Sequence, residues 1–159
     1  MLAKYPSVIA ATFLALGALG SSGLAQTAVE KARLSRTMWS AFQYGTFAEM
    51  SGNEKEQARL FDVGVKAGRD FLDALKNRQI PADVASNEVP IGVSMLLQGP
   101  SADFIIGRVF ENAMQDAYDD IVKHENGLLL DSSKWVNDKD LKKSKAQTKY
   151  LKSNCVLVK

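Results

Sequence analysis

Residues 101–126 read SADFIIGRVFENAMQDAYDDIVKHEN, and this run decides the fold class. Ile106, Val109, Phe110, Ala113, Ala117 and Ile121 recur at the three- and four-residue steps of one helical face. Phe104, Tyr118 and Val122 make a second, narrower apolar line on the opposite side. A helix apolar on one stripe lies at a surface, whereas one apolar on two sides packs against neighbours on both. The run is therefore expected to be the central member of an all-α protein, a compact bundle of four or five helices.

Towards the N-terminus, Gly99-Pro100-Ser101 stops one element and caps the next, with Asp103 in the first turn where the helix dipole favours a carboxylate. Before it, Pro81, Pro90 and Pro100 break residues 79–100 into short pieces, and Pro90 is suited to open a brief helix over 91–97. This is the expected mobile or binding part of the body. Residues 54–77 carry the cleanest stripe, Leu60, Gly64, Ala67, Phe71 and Leu75, widened by Phe61, Val63 and Gly68. A glycine inside a helix costs roughly 1 kcal/mol relative to alanine, so Gly64 and Gly68 are expected to serve the close approach of a neighbouring helix. Gly52-Asn53 supplies a left-handed stop and then a new cap, with Glu56 at capping-box distance. Thr27 and Glu30 repeat that spacing, which predicts a first helix from there to about residue 51, with Leu34, Met38, Ala41, Phe42, Gly45 and Ala48 on one face.

Towards the C-terminus, Leu128, Leu129 and Leu130 are expected to cover the core, followed by a polar link and Trp135. A last, basic helix is predicted at about 137–153, with Asp138 and Asp140 at its start and lysines towards its end, as the dipole favours. Leu141, Thr148, Leu151 and Cys155 make its thin apolar line, and the apolar run from Cys155 to Val158 is expected to dock.

The chain opens with Lys4, an apolar run over 8–19 and small residues ending Gly23-Leu24-Ala25. That order is the pattern of a secretory signal peptide, expected to be cleaved after Ala25 and to leave 26–159 as a single α-helical domain. The apolar run is short for a membrane span, no cysteine follows it as in a lipoprotein, and there is no twin arginine. A periplasmic or secreted location follows. With Cys155 as the only cysteine, no internal disulfide can form, so packing must supply stability.

Charge is divided along the chain. Residues 134–159 hold eight lysines against Asp138 and Asp140 alone, which leaves the body before them net acidic. A basic tail of this kind either lies on its own acidic body or is offered to an anionic partner. Lys142, Lys145, Lys149 and Lys152 step by three and four into one stripe, the expected interaction surface if an anionic lipid or envelope polymer is the partner. The absence of arginine from the stripe speaks against a specific phosphate reader, and nucleic acid is not an expected partner of an exported chain.

Nucleophile elbows, zinc-binding histidine pairs, phosphate loops and dinucleotide glycine patterns are missing. The acid–base candidates are Asp116, Asp120 and His124, the only histidine, spaced by four so that a carboxylate-oriented imidazole or a metal is geometrically conceivable. The same spacing also describes a stabilising pair at a helix end. The expectation is a non-enzymatic binding protein without a cofactor: an inhibitor, immunity-type or accessory factor, monomeric or a simple homodimer, acting on another envelope or secreted protein. An envelope hydrolase or metal-dependent enzyme is the alternative, and a module binding anionic surfaces through the lysine stripe is the third reading.

Overall fold

A computed structural model describes residues 20–153. The apolar run of the expected signal peptide and the Cys155–Val158 docking segment lie outside the described residues. Those residues form six α-helices and one short hairpin: α1 (Gly20–Ser51), α2 (Glu54–Lys76), α3 (Ala82–Glu88), α4 (Ile91–Ser94), α5 (Ala102–Val122), β1 (His124–Glu125), β2 (Leu128–Leu129) and α6 (Lys139–Lys152). The all-α bundle is present. Its first helix is longer than expected, because α1 continues back past Thr27 to Gly20, so Thr27 and Glu30 sit inside the helix rather than at its start.

The α1–α2 corner forms as its residues predict. Gly52 takes φ of +85°, its N–H and that of Asn53 reach back to the carbonyls of Glu49 and Ala48, and the Asn53 side chain accepts from the Glu56 N–H. The antiparallel pair so made shares the most extensive interface in the molecule. Gly64 and Gly68 explain why it is so close. A Cβ at Gly64 would lie 2.4 Å from the Phe42 ring, and one at Gly68 would lie 2.7 Å from the Met38 Sδ. Both glycines therefore admit side chains of α1 against the α2 backbone, as their cost predicts.

The core falls into two clusters strung along α1. Met38 and Phe42 pack with Ala67, Phe71, Val93, Ile106 and Val109 in the first; Phe47 and Ala48 pack with Leu60, Ala117, Ile121, Ala146 and Tyr150 in the second. The expected main face of α5 is thus buried, and α5 packs on α1, α2 and α6. The helix that touches α2, α3, α5 and α6 is, however, α1. On the second side of α5 only Val122 is buried; Phe104 and Tyr118 remain partly exposed, covered by the Arg108 guanidinium 6.0 Å and the Lys142 ammonium 5.7 Å from the ring centres. Cations over ring faces, one of them from α6, shelter the two rings.

The proline-rich segment is tied down. Pro81 opens α3, a helix the sequence reading lacks, and Pro90 opens α4, which ends at Ser94. Arg33 and Arg36 of α1 converge on the Glu88 carboxylate at 3.1 and 3.5 Å, Arg36 also donates to the Glu88 carbonyl at 2.6 Å, and Ile80, Val89 and Val93 are buried. Beyond α5, Asn126 and Gly127 both take positive φ, +53° and +79°, and turn β1 into an antiparallel pairing with β2. Two left-handed residues in a two-residue loop match the twist of a hairpin. The leucines of β2 do not cover the core: Leu128 and Leu129 are 73% and 69% exposed.

Candidate functional site

The acid–base candidates do not share one helical face. α5 ends at Val122, so His124 stands on β1 opposite Leu129. Asp116 accepts a hydrogen bond from the Gln43 Nε2 of α1 at 2.6 Å, and Asp120 pairs with the Lys149 Nζ of α6 at 2.6 Å. The His124 Nδ1 lies 3.0 Å from the Asp119 carbonyl oxygen. A carbonyl only accepts, so this bond places the proton on Nδ1 and leaves Nε2 as the open ring nitrogen. Asp120 and His124 do line one cleft, of about 500 Å³, together with Glu125, Lys145, Lys149 and Lys152; Asp116 does not. Among the described residues, no group of three or more His, Cys, Asp or Glu side chains is placed to hold a metal.

The lysine stripe faces inward along most of its length. α6 buries Ala146 and Tyr150, and Lys142, Lys145 and Lys149 flank that line and are themselves half-buried. Lys149 holds Asp120, the Lys145 Nζ donates to the His124 carbonyl at 3.2 Å, and Lys142 covers Tyr118. Lys152 alone of the four is exposed. Within the described residues α6 lies on the body and pairs with one of its acids, and the apolar line expected for it is not what docks: Leu141 and Leu151 are exposed, 50% and 65%. A polar tie completes the seat. The Tyr150 hydroxyl donates to the Glu56 carboxylate at 2.8 Å, and Arg59 binds the same carboxylate at 2.9–3.1 Å. The Arg59 hydrogen bonds first, and the Tyr150 hydroxyl second, hold the Glu56 carboxyl below the usual glutamate range against the opposing effect of burial.

A different cleft, between α1 and α2, has the build of a binding site. It measures about 230 Å³ and is lined by three phenylalanine rings. Phe42 is buried, Phe110 half-buried and Phe61 45% exposed. Phe110 meets Phe42 and Phe61 edge to face, at 5.2 Å and 84° and at 5.5 Å and 89° between ring centres and planes. That geometry is the favoured one for aromatic pairs and fixes the rings in place. Ala41, Gly45 and Ala58 make low walls, and Glu49, Gln57 and Asp62 stand at the rim. The Thr46 hydroxyl is already committed to the Phe42 carbonyl at 3.1 Å. No lysine, arginine or histidine lines the cleft. Sequence periodicity found each ring but not the site. Phe61 stands one residue beside buried Leu60, on the flank of the α2 stripe, and only the pairing of α2 with the Ala41–Gly45 face of α1 reveals the hollow.

Comparison with protein-family models, with curated proteins and with solved structures returns no match.

Proposed function

We propose that this chain is an exported, non-enzymatic binding protein, an inhibitor, immunity-type or accessory factor that works by occupying the surface of another envelope or secreted protein, with the α1–α2 cleft at the centre of the contact. The observation that carries the reading is the cleft itself. A preformed hollow with an aromatic lining, small walls and a few polar groups at its rim is the usual form of a pocket that receives an anchoring side chain. Phe61 at its mouth leaves a large apolar surface in water, which a partner would cover. Two of the three acid–base candidates are meanwhile engaged in bonds between elements, Asp116 with α1 and Asp120 with α6, while His124 keeps its Nε2 open.

The test is affinity capture from envelope extract at low and at physiological salt, run side by side with the protein and its Phe61→Asp variant. Phe61 is half exposed, so the variant is expected to keep its helical circular dichroism. A protein retained at both salts by the parent and lost by the variant supports the proposal. Equal retention by the two overturns it.

A further inference from the structure

Resting on the reading of the α1–α2 cleft as a binding site, we infer that its ligand is an apolar group joined to a positive charge, presented by a partner protein as an apolar side chain beside a lysine or arginine. Size sets the apolar part. A hollow of about 150 Å³ is enough to hold a benzene ring, so the 230 Å³ here admits one ring or branched aliphatic side chain and little more. Three phenylalanine rings receive it, and ring faces attract cations as well as apolar groups.

Charge sets the rest. Two carboxylates, Glu49 and Asp62, stand on opposite walls of the rim, one from α1 and one from α2, and among the described residues neither is tied up in a hydrogen bond or an ion pair. Glu56 is held by Arg59 and Tyr150 and Asp70 by Lys66, whereas Glu54, Asp73 and Glu111 are unpaired among the described residues like Glu49 and Asp62; what distinguishes the last two is that both line the one cleft. A cleft with two free carboxylates and no cation in its lining repels an anionic ligand and favours a cationic one. The nearest arginine along α2, Arg59, is turned to Glu56 and away from this balance.

The experiment titrates the full chain with three probes of nearly equal size, benzylammonium, benzyl alcohol and benzoate, followed by NMR of the Phe42, Gly45 and Phe110 resonances. Benzylammonium is expected to bind most tightly, by roughly fivefold to tenfold over benzyl alcohol, and benzoate least. The double variant Glu49→Gln, Asp62→Asn is expected to bring the three together, as is high salt, because both rim charges are exposed and screened. If benzyl alcohol binds as well as benzylammonium, the charge preference is overturned and the cleft stands as a purely apolar site. If no probe perturbs these resonances, including the case in which part of the same chain already fills the cleft, both the inference and the reading beneath it fail.

Discussion

Gly64 is where the site and the stability of the protein meet. The Phe42 ring lies against its Cα, and a Cβ there would stand 2.4–2.9 Å from three ring carbons. Phe42 is fully buried, so its ring must shift, towards the cleft that it lines, to admit the methyl group. Gly64→Ala is therefore expected to cost about 1–3 kcal/mol of unfolding free energy in a urea titration, and to weaken benzylammonium binding by displacing a ring that lines the cleft. Gly107, on α5, is the control, since nothing lies within 4 Å of an added Cβ. Gly107→Ala is expected to stabilise by roughly 0.5–1 kcal/mol through helix propensity alone. If both substitutions stabilise, the close approach of α1 to α2 is not as described.

At the scale of elements, α6 is held by the buried Ala146 and Tyr150 side chains and by polar ties, Tyr150 to Glu56, Lys149 to Asp120 and Lys145 to the His124 carbonyl, more than by an apolar stripe. Glu56→Gln is expected to cost roughly 1–3 kcal/mol, because Arg59 and the Tyr150 hydroxyl lose a charged partner together. The sign with pH follows from the direction of the shift. The folded protein holds the Glu56 carboxyl below its unfolded value, so the stabilisation is fully present above about pH 4.3 and is lost as pH falls through the lower, folded value. Urea titrations between pH 7 and pH 3 should show a steeper acid loss in the parent than in Glu56→Gln; parallel curves would contradict the tie. This element also marks the limit of what could be read from sequence. The Gly52-Asn53 corner, the acidic start of α6 and the α2 stripe were legible because the residues that make them are adjacent or periodic. The docked face of α6 was not, because lysine stems lie beside the buried line while Leu141 and Leu151 face solvent. The end of α5 was hidden for a related reason. The numerical run Ala113, Ala117, Ile121, His124 continues past the helix, but Asn126-Gly127 imposes a hairpin, and the turn prevails over the periodicity.

At the scale of the whole molecule, α1 is the spine on which both core clusters are threaded, and one ion pair, Lys149 with Asp120, joins basic α6 to the acidic body. Among the described residues no helix is long and apolar enough to cross a membrane. Binding to anionic vesicles is expected to be weak, since three of the four stripe lysines are half-buried against the body; salt-sensitive vesicle binding lost when the exposed Lys139, Lys143 and Lys152 are replaced by alanine would instead point to the tail. On the proposed reading, what the molecule offers to a partner is the aromatic cleft. The most direct test is site-specific photocrosslinking in cells with benzoylphenylalanine in place of Ala58, on the cleft wall, and separately in place of Thr148, in the cleft beside α6. A discrete crosslinked protein from position 58 and none from position 148 is the predicted result. A partner captured from position 148 alone would contradict the account and move the working surface to the hairpin and α6.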